Sequence, residues 1–156
     1  MEFGIGKNED LWKIIELYYQ FNNKMEYSDE YIMHVGEIWE NIEKNNIKYF
    51  VAKDNDKIIG SNYICIIPNL THGGRSIGYI ENVIVDKNCR RKGIGKKLME
   101  MAIEYAKENN CYKIVLQSGM ENKDAHEFYK NIGFNETTKK AFELRFEYKK
   151  NKPILD

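Results

Sequence analysis

The run Arg90-Arg91-Lys92-Gly93-Ile94-Gly95-Lys96 puts four cations and two glycines where an apolar strand pattern hands over to a helical one. Glycine lets the backbone approach an anion closely, the unpaired N–H groups of a helix start point at it, and the macrodipole adds favourable potential. These are the parts of a phosphate cradle, and the alternative reading is a solvated basic turn. The run lacks the third glycine of G-x-G-x-x-G and does not match G-x-x-x-x-G-K-[ST], so neither the dinucleotide fingerprint nor the nucleotide phosphate loop is indicated. Two further side chains have useful chemistry. Glu81 is a carboxylate inside the otherwise apolar stretch Tyr79-Ile80-Glu81-Asn82-Val83-Ile84-Val85, where it is either a proton acceptor, a partner for a cation or a solvent-facing residue. Tyr129 is a phenol on an amphipathic helical pattern, where it is either a proton donor or a core residue with a satisfied hydroxyl.

The elements that must position these groups follow from periodicity. Residues 2–6 read as a strand, and Asn8 or Asp10 can cap a helix with an apolar face of Leu11, Ile14, Ile15, Tyr18 and Tyr19. A second helix is expected from Ser28 onward, with Ile32, Val35, Ile38, Trp39 and Ile42. Two β-rich runs, at residues 49–52 and 58–67, flank the turn residues Asp54-Asn55-Asp56-Lys57 and predict a hairpin. After a polar loop over residues 69–76 come the strand carrying Glu81, a helix over residues 93–109, a strand over 112–116 and a helix over 123–131. Gly133 would stop that last helix, and two closing strands are expected near residues 134–138 and 142–148. The order β-α-α-β-β-β-α-β-α-β-β predicts an α/β fold, with a mixed central sheet of about seven strands flanked by about four helices.

Composition narrows the classes. At 156 residues, with no internal repeat or linker, one domain over 1–156 is expected. Lys plus Arg and Asp plus Glu are 24 each, which disfavours nucleic acid and anionic membrane as partners and requires any anion site to be local. No stretch approaches the roughly 20 apolar residues of a membrane span and the start has no basic flank, so a cytoplasmic protein is expected. Cys65, Cys89 and Cys111 read as free thiols. His34, His72 and His126 have no metal spacing, so no metal is expected. The aromatics Trp12, Tyr18, Tyr19, Phe21, Tyr27, Tyr31 and Trp39 are chiefly core, with some available to line a pocket. The loop Asn69-Leu70-Thr71-His72-Gly73-Gly74-Arg75 reads as a surface loop, with Arg75 available to an anionic group.

Arg90-x-x-Gly93-x-Gly95 after a strand, followed by Asn122 and by Phe128-Tyr129-x-x-x-Gly133-Phe134, resembles the GNAT superfamily of N-acetyltransferases. The resemblance covers about residues 48–148 and is sharpest over 79–134. It implies a single acyl-CoA N-acyltransferase domain, with acetyl-CoA as cosubstrate and a primary amine of a small molecule as acceptor, attacked directly in a ternary complex. By the resemblance, Arg90, Arg91, Lys92, Gly93, Ile94, Gly95 and Lys96 hold the coenzyme A pyrophosphate. The preceding strand bulges and splays so that the backbone of Val83, Ile84 and Val85 pairs with the pantetheine arm, and Asn122 contacts that arm. Glu81 matches a general base of some members, and Tyr129 matches the general acid near the sulfur. His126, three residues from Tyr129, shares its helical face and reads as a packed or surface residue.

Residues 78–85 and 111–114 are similar to glucosamine-phosphate N-acetyltransferases, which usually have aspartate where this chain has Asn82. Other readings are a non-catalytic acyl-CoA-binding or regulatory module and, less favoured, a nucleic-acid-binding protein using Arg90, Arg91, Lys92, Lys96 and Lys97. A homodimer stays open.

Overall fold

The computed structural model describes residues 1–20 and 29–146. The chain divides into two compact units, Met1–Gln117 and Ser118–Asp156. The first unit holds β1 (Glu2–Ile5), α1 (Leu11–Tyr19), α2 (Asp29–Lys44), β2 (Ile47–Asp54), β3 (Lys57–Ile67), β4 (Ser76–Val85), α3 (Ile94–Glu108) and β5 (Cys111–Leu116). Its sheet has the order β1-β2-β3-β4-β5. The pairs from β1 to β4 are antiparallel, and the α3 crossover makes β4 and β5 parallel, as a strand-helix-strand unit requires. Asn55 turns the β2–β3 hairpin with φ 52°, a conformation asparagine tolerates.

The apolar side of α1 packs with Val35 and Trp39 of α2 onto Val51 and Ile58. Tyr19, expected on that side, is 42% exposed, as are Trp12 and the expected α2 core residues Ile32 and Ile38 to similar degrees. These helices cover the sheet with a narrower stripe than their sequences offer. On the other side of the sheet α3 buries Ile94, Leu98, Met99 and Ala102. The close approach depends on Gly60, where an added Cβ would come within 2.9 Å of Ile94 Cγ2 and 3.0 Å of Leu98 Cδ1. Asn62 fastens the contact by donating from Nδ2 to the Leu98 carbonyl at 3.1 Å.

The second unit contains α4 (Lys123–Asn131), whose end is marked by Gly133 at φ 99°. The two expected closing strands do not form among the described residues, so the sheet has five strands where about seven were expected. Phe142, Leu144 and Phe146 have the alternation of a strand, yet they are 86%, 79% and 88% exposed. Period-two patterning becomes a strand only when a neighbouring ladder takes up the backbone hydrogen bonds, and these residues have none among the described residues. Residues 147–148 of the last expected strand, Ser28 at the expected start of α2, and Phe21 and Tyr27 lie outside the described residues.

Candidate active site

The decisive irregularity is in β4. Ser61 pairs with Ile84 and Tyr63 with Glu81, so the single residue Asn62 on β3 faces both Asn82 and Val83 on β4. This is a β-bulge, with Asn82 at φ 51°. Pairing between β4 and β5 stops at Ile80 and Leu116, whereas β4 runs on to Val85. Beyond that pairing, residues 81–85, which include the bulge, therefore present an edge that β5 does not cover. Val83, Ile84 and Val85, the expected backbone partners of an extended ligand arm, lie on it. Arg90 Nε donates to the Val85 carbonyl at 3.3 Å, so that oxygen has one lone pair left for another donor.

The end of β4 is pinned by Asp86, which is 1% exposed. Its carboxylate accepts from Lys57 Nζ at 2.8 Å, Gln20 Nε2 at 3.1 Å and the Asn88 N–H at 2.9 Å. The Lys57 hydrogen bond is the largest cause holding its pKa at about 2, against an ordinary value of 3.8, and the Asn88 and Gln20 bonds add to it. A depressed carboxylate pKa stabilises the fold above the unfolded-state value, and that contribution is lost as pH falls through the folded-state value. Asp86→Asn should therefore destabilise the protein by about 1–3 kcal/mol at neutral pH. In urea melts the gap between wild type and variant should be full above roughly pH 5 and close as pH falls toward about 2. A gap independent of pH over that window would show that the carboxylate charge does not hold this turn.

From Asp86 the chain makes a single turn over Lys87–Cys89 and enters the basic loop. Arg91 at φ 60° and Gly93 at φ 79° take left-handed conformations, which turn successive N–H groups toward one side. Gly93 is the N-cap of α3, no side chain among the described residues caps that end, and the Lys97 N–H makes a helical bond to the Gly93 carbonyl at 3.0 Å. The earlier N–H groups of the first turn are thus left for an outside acceptor. Among the described residues nothing lies within 4 Å of a Cβ built at Gly93, so the glycine is there for its backbone angle. Arg90, Arg91, Lys92 and Lys96 are exposed around this helix start, while Ile94 is buried and anchors it.

Glu81 stands in a cross-strand row with Tyr63 and Tyr49, half-buried, and Trp39 of α2 adjoins the far end. The rings of Tyr49 and Tyr63 are 5.0 Å apart. Burial raises the Tyr63 and Tyr79 phenols above their ordinary range, and the nearby Glu81 carboxylate raises both further. The arrangement gives Glu81 an aromatic wall on the sheet surface. Sequence reasoning singled out Glu81 but not this wall, because the row is created by β-ladder register across three strands.

In the second unit, Asn122 and Tyr129 belong to one short helix. Asn122 Oδ1 accepts from the Ala125 N–H at 3.3 Å, so it is an N-cap. Tyr129 is held between Phe128, at 5.3 Å between ring centres, and Phe134 at 6.1 Å. His126 Nε2 lies 2.9 Å from the Gly119 carbonyl, which ties the helix to the preceding loop. Among the described residues no group of His, Cys, Asp and Glu is arranged to hold a metal, and no helix is long and apolar enough to cross a membrane.

The comparisons with known proteins agree with this geometry. Residues 8–134 match the model of the acetyltransferase (GNAT) family. A glucosamine 6-phosphate N-acetyltransferase of Trypanosoma brucei brucei is 37% identical over 87 residues, 56% of this chain and 57% of that protein. N-alpha-acetyltransferase 30 of Schizosaccharomyces pombe is 35% identical over 86 residues, covering 54% of this chain and 55% of that one. The matches thus span about half the length of these curated relatives. A solved structure of a putative acetyltransferase from Agrobacterium tumefaciens superposes with a TM-score of 0.85 at 30% identity, over 94% of this chain and all of the other. With the bulged strand, the glycine-capped helix start and a family match over most of the chain, the protein belongs to the GNAT acetyltransferase family.

Proposed function

We propose that the chain is a single acetyltransferase domain that moves an acetyl group from acetyl-CoA to a primary amine of a small molecule by direct attack in a ternary complex. The observation that carries this reading is the bulge at Asn82 and Val83 followed by the end of β4–β5 pairing at Ile80 and Leu116. An edge of that kind has backbone donors and acceptors to offer an extended amide-bearing arm, and the uncapped α3 start suits the pyrophosphate at its end. Acetyl-CoA supplies the activated acyl group. In the proposed roles Arg90 to Lys96 bind the pyrophosphate, Val83 to Val85 pair with the pantetheine, and Asn122 contacts it in addition to capping α4. Glu81 takes the proton of the amine, directly or through water, and Tyr129 returns one to the departing thiolate.

The amine is the finer question. Two of the curated relatives differ here, one named for glucosamine 6-phosphate and the other for an N-alpha position. Within the proposed class, glucosamine 6-phosphate is a specific candidate acceptor. Thiol release from acetyl-CoA in the presence of glucosamine 6-phosphate, unphosphorylated amines and a peptide amine tests both levels. Release with at least one amine supports the enzyme, and its absence with all of them, despite acetyl-CoA binding, would favour a non-catalytic acyl-CoA-binding module.

The loop has its own test. Gly95→Asp puts a side chain and a negative charge on the first turn of α3, where the proposed anion sits. Acetyl-CoA affinity should fall at least tenfold, about 1.4 kcal/mol, in a variant that still unfolds cooperatively. Unchanged affinity by calorimetry would remove the loop from the cosubstrate site.

A further inference from the structure

A short stretch of β3 supports both halves of the proposed cosubstrate site from behind. Gly60 pairs with Val85, Ser61 pairs with Ile84, and Asn62 faces Asn82 and Val83. Residues 60–62 therefore hold one edge of β4 along the stretch whose other edge is left uncovered by β5 and assigned to the pantetheine. Gly60 and Asn62 also seat α3, whose start is assigned to the pyrophosphate. Besides meeting Ile94 and Leu98, a Cβ at Gly60 would come within 3.4 Å of the Ile84 carbonyl oxygen, so this position lies between the helix and the β4 edge. Asn62 is fully buried, and the Met99 sulfur lies 3.7 Å from the same Nδ2 that donates to the Leu98 carbonyl. Leu98 is one turn in from Ile94, the first residue of the helix.

As packing, this amide is a poor choice. Burial strips water from both of its polar groups, and of the two only Nδ2 has a hydrogen-bond partner among the described residues. An apolar side chain would fill the interior without that desolvation. What the amide adds is direction. Apolar contact is non-directional, whereas a hydrogen bond weakens steeply off its axis and so holds the helix at one seat on the strand. A ligand that must occupy two subsites at once gains from the second only where their separation matches its own span.

We propose that Asn62 is a positioning residue for acetyl-CoA: it fixes the start of α3 against the bulged stretch of β4 and thereby sets the separation between the pyrophosphate and pantetheine subsites. The inference rests on the acetyl-CoA reading and adds to it a buried side chain that acts through the Leu98 carbonyl.

The test compares the whole cosubstrate with its two halves on the full chain. Affinities for acetyl-CoA and for adenosine 3′-phosphate 5′-diphosphate, the half that carries the pyrophosphate, are read by calorimetry. The other half is read as kcat/KM with S-acetylpantetheine as donor. Asn62→Leu should weaken acetyl-CoA binding at least tenfold and change the response to each half less than about threefold, because each subsite persists and only their alignment is lost. Gly60→Ala, which pushes on the same helix turn by a different route, should give the same split. A loss on either half as large as that on acetyl-CoA would overturn the proposal by assigning Asn62 to the packing of that subsite. Unchanged acetyl-CoA affinity in a folded Asn62→Leu protein would overturn it too. If Asn62→Leu does not fold, Asn62→Ala decides, and failure of both to fold would make the residue a folding determinant and remove the positioning role. A wild type that binds acetyl-CoA but gives no response to one of the halves would overturn the two-subsite premise and the proposal with it. A wild type that does not bind acetyl-CoA at all would remove the reading on which the proposal rests.

Discussion

Tyr129→Phe should lower kcat about 100- to 10,000-fold and leave acetyl-CoA affinity nearly unchanged. The variant keeps the ring that packs between Phe128 and Phe134, and the backbone carbonyl of residue 129 still accepts from the N–H groups of Ile132 and Phe134 at 3.2 and 3.0 Å. Helix stability should therefore survive the change. What is removed is one proton donor, and a phenol, with an ordinary pKa of about 10, is suited to protonating a departing thiolate. The role can be separated from general disturbance by the choice of acyl donor. A thioester of a more acidic thiol leaves readily without a proton, so the deficit of the variant should shrink with it. Equal deficits with both donors, or full activity with acetyl-CoA, would make Tyr129 a packing residue.

The sequence carried the parts of this site that depend on local backbone chemistry. Gly93 and the helix that follows it were legible because a left-handed cap needs glycine and because the apolar positions of α3 recur at helical spacing. Asn122 and Gly133 mark the two ends of α4 for similarly local reasons. The family resemblance supplied the bulge, which periodicity alone does not show: the side chains of Asn82 and Val83 look like any strand residues until Asn62 is found opposite both.

Features that depend on long-range pairing were less legible. The row Tyr49, Tyr63 and Glu81 is spread over three strands, and its members share no spacing in the sequence. Tyr18 reads as an ordinary apolar-face residue of α1, because the polar neighbours of its buried hydroxyl, Ser61, Asn82 and Tyr49, come from other elements. The expected closing strands show the opposite case, in which a good local pattern at Phe142, Leu144 and Phe146 finds no ladder partner among the described residues. Exposure of Trp12 and Tyr19 belongs with this case, since helical spacing says which residues share a face but not how much of that face the sheet can cover.

Glu81→Gln should reduce kcat about 100- to 10,000-fold near pH 7, and the deficit should narrow steadily toward pH 9.5. The sign follows from the acceptor. A typical alkylamine is mostly ammonium at neutral pH and must lose a proton before it can attack, whereas alkaline solution supplies the free amine without help. Glutamine keeps the length and planarity of the side chain, so the row with Tyr63 and Tyr49 and the nearby bulge should be retained. It removes the negative charge that also acts on the Tyr63 and Tyr79 phenols, and both should then titrate at lower pH than in the parent protein. That spectroscopic shift, read by ultraviolet absorbance, reports loss of the charge independently of turnover. Acetyl-CoA affinity should change little, because the cradle at residues 90–96 is built from other groups. A deficit that stays constant from pH 7 to pH 9.5, in a variant whose tyrosines titrate earlier, would show that Glu81 anchors the acceptor and that the proton leaves by another route.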